Sequence, residues 1–296
     1  PVMVFNGAAF LLNIVLDYFL VFGKLGFPAL GGAGAGWATA LVMTFLLICM
    51  AVYAQRSKTM RALKLYSDFA QVNIAAIVNI LRLGIPIALN IAAEIMFFAI
   101  IPLMIAHLGS DVVGAHAIAI NIDSLAFMVP LGVASALTIK VAMAEGAGDP
   151  RLARRYCIVG YKMVFMLGLT TAALKVTLRE DLAALFSADP NVQLIAANLF
   201  LFAAVLGSVD SLQMTASGAL RGYKDVRMPL FIQVVAFWGI AFPIAYSLAL
   251  TDIWGEPMGV YGFWVGTIIG ASCAGIGLIT RWNIVSRRRI QALENL

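Results

Sequence analysis

Eight stretches of this sequence run unbroken for about twenty mainly apolar residues, the length of α-helix that crosses the hydrocarbon core of a bilayer. They are roughly 2–22, 35–54, 85–106, 118–139, 158–178, 192–216, 229–250 and 259–280, with two charged residues at most in any one. In hydrocarbon an unpaired backbone N–H or C=O has no water to turn to, so a spanning segment must close its hydrogen bonds internally. Continuous runs of this length do so as helices, and the pattern predicts an all-α integral membrane protein with eight transmembrane helices. Composition agrees: 62% of the 296 residues are hydrophobic and 12% are charged. That is more apolar surface than a soluble domain of this length can hide.

A net charge of +5 could suggest a nucleic-acid partner, yet the 20 Lys and Arg residues do not gather on one soluble face. They alternate between loops. Lys24, Lys175 and Arg179 fall on one side, and the remaining 17 (20 − 3), from Arg56 and Arg82 to Arg287, Arg288 and Arg289, fall on the other. The positive-inside bias puts that second set in the cytoplasm together with the C-terminus, in a multi-pass protein of the plasma (inner) membrane. The surrounding partner is then the lipid bilayer, not nucleic acid.

Residues 55–83 are too polar to span. Ile74, Ile77, Val78 and Leu81 recur there at helical spacing, which predicts an amphipathic linker lying along the inner membrane surface. The chain thus divides into 1–54, the cytoplasmic linker 55–83, and 84–296. A faint internal repeat crosses that division at an offset of 228 residues (229 − 1): Pro1 with Pro229, Tyr18 with Tyr246, Leu20 with Leu248, Gly31 with Gly259, Gly34 with Gly262 and Thr39 with Thr267. An even number of spans begins between the copies, so they share an orientation, as in the parallel repeats of transporters. With a six-helix unit, 84–296 is a complete second six-helix bundle with a basic cytoplasmic tail. Residues 1–54 then supply the last two helices of a first bundle, and four further helices are expected upstream of Pro1.

Two carboxylates stand inside apolar runs. Asp210 lies within FAAVLGSVDSLQMTASGALRGYKD, and Glu94 within ALNIAAEIMFFAI. A carboxylate at mid-helix in lipid costs roughly 2.5–3.5 kcal/mol on insertion scales, so something must offset it: a cation, a proton or a polar partner. Asn90 shares the face of Glu94 one turn earlier, and Gln213 and Ser217 continue the face of Asp210. Asn121 and Asp123 add polar groups to the fourth span, and Asn6, Asn13 and Asp17 share a face of the first. Polar faces on several helices predict a shared hydrated cavity. A carboxylate in such a cavity can hold a proton or exchange it for Na⁺ or an organic cation, which is enough to couple two fluxes. The alternative for each carboxylate is an interhelical hydrogen bond that serves packing alone. Pro102, Pro130 and Pro243 fall within spans and favour kinks. The distant Cys49, Cys157 and Cys273 read as packing residues, and His107 and His116, at a helix end and a loop, as unsuited to a metal centre. No metal or cofactor is expected beyond Na⁺ or H⁺ as a coupling ion.

The string from Gln213 to Asp225, QMTASGALRGYKD, resembles the end of the tenth helix in NorM-like members of the multidrug and toxic compound extrusion (MATE) family. LDYFLVFGKLGFPALGGAGAGWATA (16–40), HAIAINIDSLAFMVPLG (116–132) and LFSADPNV (185–192) are similar to the same family. The resemblance implies two six-helix bundles, with this chain beginning at the fifth helix. It also implies secondary antiport of small-molecule cationic or amphipathic compounds, with Glu94 and Asp210 as cation- or proton-binding residues. Family members place a Tyr four residues before that Asp; here the position is Leu206, which leaves Na⁺ or H⁺ open. Asn90, Asn121, Asp123, Gln213 and Ser217 are the substrate-cavity candidates. A lipid-linked oligosaccharide flippase is the alternative, but its pyrophosphate ligand calls for basic residues at mid-span, where this chain has Glu94 and Asp210. An intramembrane hydrolase would need a nucleophile or metal motif that the spans do not contain, so no enzyme is expected.

Overall fold

The computed structural model describes residues 2–24, 28–57, 73–253 and 255–295, and no strand occurs among them. The helices are α1 (Val2–Phe22), α2 (Gly32–Arg56), α3 (Ile74–Ile105), α4 (Ser110–Gly146), α5 (Pro150–Thr177), the short α6 (Arg179–Phe186), α7 (Pro190–Gly222), α8 (Arg227–Val234), α9 (Phe242–Leu250) and α10 (Val260–Glu294). A 3₁₀ turn, Ala106–Leu108, follows α3, and a π-helical segment, Val235–Ala241, joins α8 to α9 in one span. Among the described residues eight spans result, all long and apolar enough to cross a membrane, and the protein is an all-α, multi-pass membrane protein. Contacts divide it into two units, Pro1–Ile74 and Ala75–Leu296.

Local chemistry accounts for the helix starts. Asp149 and Asp189 each accept a backbone N–H of the first turn, from Leu152 at 2.9 Å and from Asn191 at 2.8 Å. Pro150 and Pro190 follow them, where a missing N–H costs nothing. Within the second unit α7 is the central helix, packed on α4, α5, α6 and α10. Lipid gives no hydrophobic drive to helix pairing, so close contact must supply it. Small residues allow that contact: a methyl group on Gly218 would meet the Ala134 carbonyl at 2.5 Å. Thr138 Oγ1, one turn along α4, donates to the Gly218 carbonyl at 2.8 Å. The α9–α10 seam repeats the device, with Gly262, Gly266 and Gly270 lying against Ala249, Ala245 and Ala241.

The faint sequence repeat has a structural counterpart in each unit. In the first, Leu30 N–H donates to Leu20 C=O at 3.0 Å and Gly31 N–H to Val21 C=O at 3.3 Å. In the second, 228 residues on (258 − 30), Met258 N–H donates to Leu248 C=O at 2.9 Å and Gly259 N–H to Ala249 C=O at 3.1 Å. Gly31 has φ 53°, ψ −128° and Gly259 φ 57°, ψ −133°. Only glycine enters that region without strain. Thr39 and Thr267 close the match, each donating to the carbonyl four residues back.

Several expectations change. Residues 74–83, assigned from sequence to a separate linker helix, form the start of α3 and continue without break into the span, because nothing between Ile74 and Pro86 interrupts helical hydrogen bonding. Residues 58–72 of the linker lie outside the described residues. The loop expected around Arg179 contains α6. His116 is a buried residue of α4 that accepts from Trp264 Nε1 at 3.2 Å, not a loop residue. Pro102 and Pro130 sit inside α3 and α4, which continue through them. Pro243 directly follows the π segment, whose wider turns absorb its missing N–H. The basic tail is the end of α10. Arg154 ties it to α5 through Ser286 Oγ at 2.8 Å and Asn283 Oδ1 at 3.1 Å.

Candidate functional site

Asp210 lies on the buried face of α7 and is 8% exposed, and its Oδ1 has no hydrogen-bond partner. Its strongest electrostatic neighbours are Glu94 of α3, Asp123 of α4 and Lys175 of α5. The two carboxylates picked out from the sequence therefore share one field. Glu94 is half-buried and is approached by Gln233 Nε2 of α8 at 3.5 Å. Its backbone is pinned from the π segment, where Trp238 Nε1 donates to Ala93 C=O at 3.1 Å. The rings of Phe97 and Phe237, 5.0 Å apart, close the apolar side of this contact.

Further buried oxygens lack donors. Asn90 Oδ1, Gln213 Oε1 and Gln233 Oε1 are all without a partner, although their residues are 8%, 1% and 2% exposed. An amide or carboxylate oxygen in a dry interior loses the free energy of its lost hydration unless something supplies positive charge. Of these amides Gln233 is the one that contacts a carboxylate, through its Nε2 to Glu94, and unpartnered oxygens are the kind of atom that hard cations take as ligands. Leu206, at the position where the resemblance leads one to expect Tyr, is a core residue beside Trp264 and Thr267.

Not every candidate belongs to this cluster. Ser217 is buried on α7, one turn from Gln213, whereas Asn121 is exposed on α4. Asp123 is held by an ion pair with Lys175 and is not a shallow, water-facing group. Lys175 was assigned to the outer loops. It is instead 4% exposed inside α5, bound to Asp123 and donating to Ala203 C=O at 3.1 Å. The spans therefore do contain a buried cation. Its signal was present in the sequence, since 158–178 already includes Lys175. Gln233 and Trp238 were missed as well; Gln233 is the lone amide of an apolar stretch, LFIQVVAF. Among the described residues no group of three or more His, Cys, Asp or Glu is placed to hold a metal ion.

The MatE family model matches residues 86–247, from α3 to α9, the region that carries both carboxylates. Over its whole length the chain is 40% identical to the Multidrug resistance protein PmpM of Pseudomonas aeruginosa and covers 62% of that protein. Over 98% of its length it is 38% identical to the Probable multidrug resistance protein NorM of Shewanella oneidensis, covering 63% of it. The chain thus spans less than two thirds of the length of these relatives. Its fold matches the crystal structure of the eukaryotic MATE transporter AtDTX14 with a TM-score of 0.83 at 22% identity, over 98% of this chain and 64% of that one. With the family match extending over more than half of the sequence and enclosing Glu94 and Asp210, the chain belongs to the MatE family and is a NorM-like member of the MATE transporters.

Proposed function

We propose that this chain carries the ion-handling bundle of a secondary active antiporter, which exports cationic or amphipathic toxic compounds in exchange for Na⁺ or H⁺ by alternating access. The observation that carries the reading is Asp210: buried, with a carboxylate oxygen that no protein group satisfies, and electrostatically joined to Glu94. A buried carboxylate oxygen that no protein donor occupies is one that a cation or proton can reach and leave. Competition for it between coupling ion and exported cation links the two fluxes. The protein is no enzyme on this reading. It sits in the plasma (inner) membrane with its C-terminus in the cytoplasm, a reading that the charge bias of the loops supports. The multidrug-resistance names of the bacterial relatives support export of small organic compounds. The flippase alternative is not favoured, because the buried cation, Lys175, is neutralised by Asp123.

The test uses Asp210→Asn and Glu94→Gln in the complete natural protein. An amide keeps size and hydrogen bonding but neither releases a proton nor binds a cation by charge. Efflux of a fluorescent cation is measured from cells making normal amounts of each variant, with Na⁺ and pH gradients imposed separately. Asp210→Asn is expected to abolish gradient-driven efflux and Glu94→Gln to weaken it severely. If the carboxylates only pack, an amide serves equally well. Wild-type efflux from both variants would then refute the proposal.

A further inference from the structure

The Asp123–Lys175 pair sits directly on the backbone of the helix that carries Asp210. An added methyl on Gly207 would lie 2.8 Å from Lys175 Nζ and 3.0 Å from Asp123 Oδ1. Glycine at 207 is what lets the two charges reach the helix. Gly207 and Asp210 are three residues apart and share a face of α7. Two of the three ammonium protons of Lys175 are committed, to Asp123 and to Ala203 C=O. A cavity of about 10 Å³, the size of one water, lies between the pair and Ser211. Asp210 feels both partners, with Asp123 and Lys175 acting on it in opposite senses.

An ammonium seated against Gly207, on the helix face that also carries an unsatisfied carboxylate, is itself a candidate occupant of the site. Asp123 and the Ala203 carbonyl hold it back, and of the two Asp123 alone does so by charge. We propose that Lys175 is a positioning residue, a tethered internal cation whose restraint by Asp123 sets how tightly the Glu94–Asp210 site holds its coupling ion. This rests on the proposed coupling role of those carboxylates. With the pair intact, its two charges oppose each other at Asp210. Without the Asp123 charge, the ammonium turns to Asp210 and competes with the incoming ion. The other charged groups facing the site are Glu94 of α3 and Arg221 at the end of α7, which interact with each other.

The experiment reconstitutes the complete natural protein in vesicles and measures the half-saturating concentration of the driving ion, Na⁺ or H⁺, for export. Asp123→Asn is expected to raise it about tenfold, the scale of one unpaired charge at several ångströms in a partly screened interior. Maximal rate is expected to recover at saturating ion, because the effect is competition. Asp123→Asn combined with Lys175→Gln removes the competitor and is expected to return half-saturation to within about threefold of wild type. A purely structural pair predicts the opposite pattern: a lower maximal rate that excess ion does not restore and that the second substitution does not rescue. That result overturns the proposal. Should Asp123→Asn fail to fold, Lys175→Gln alone still decides, since removing the cation is expected to lower half-saturation; an unchanged or raised value overturns it. Asp210→Asn, run in parallel, separates the two ideas: wild-type export there refutes the coupling site itself, whereas lost export with an unshifted pair refutes only the role of Lys175.

Discussion

A carboxylate within an apolar helix is too costly in hydrocarbon to stand without support from neighbouring helices. Glu94 takes an amide from Gln233 of α8, 139 residues on, and the carbonyl of Ala93 beside it takes the indole of Trp238 in the π segment, 145 residues on. If that support positions the carboxylate for ion binding, Gln233→Leu is expected to lower ion-driven efflux roughly fivefold to tenfold, about the worth of one ordinary net hydrogen bond. Protein level and membrane insertion should stay normal. Unchanged efflux across an ion titration would show that Glu94 needs no orienting partner. Gln233 carried the same signal as Glu94, a polar group in an apolar run. An uncharged amide costs less in lipid, however, and its partner becomes known only once the helices are packed. Lys175 was misplaced for a different reason. It stands two residues from the end of α5, where a lysine ordinarily snorkels to the interface, and only the position of Asp123 on a neighbouring helix turns it inward.

Among the helices, span number and approximate edges were legible because lipid demands length and continuity, and α1 matches its expected bounds at both ends. The start of α3, the α6 helix and the π segment were not legible, since each depends on what a helix end packs against. Glycine is similarly ambiguous in sequence and decisive in structure. On α10, a methyl at Gly266 would stand 2.6 Å from the backbone nitrogen of Ala245, whereas one at Gly275 would make an ordinary 3.9 Å contact with Gln213. Backbone cannot move aside as a side chain can, so Gly266→Val must force α9 and α10 apart. The cost of such overpacking is about 1–3 kcal/mol, expected as a melting temperature lowered by several degrees in detergent. Gly275→Ala is expected to leave the melting temperature unchanged. Equal effects from both substitutions would mean that helix propensity, not the seam, governs α10.

For the molecule as a whole, two independent lines predict how the chain threads the bilayer. The first is parity. The loops capped by Gly31 and Gly259 share the same backbone hydrogen bonds and φ/ψ. Of the eight candidate spans, six separate them: those of α2, α3, α4, α5, α7 and α8–α9. An even number returns the chain to the same side, whatever the charges are. The second line is the charge bias, which names that side as external, because Lys24, Lys175 and Arg179 are the only Lys or Arg assigned there and 17 of the 20 fall opposite. Burial of Lys175 removes one residue from the external set and strengthens the asymmetry. Single cysteines placed at positions 29 and 257, in a background with the native cysteines replaced, are therefore expected to react with an impermeant maleimide added outside intact cells. Cysteines at 148 and 224, in the turns after α4 and α7, should react only after permeabilisation. The two lines can fail separately. If 29 and 257 react together but only after permeabilisation, the charge reading is inverted and parity survives. If one reacts outside and the other does not, an odd number of spans lies between them, and the eight-span count is wrong along with the repeat built on it.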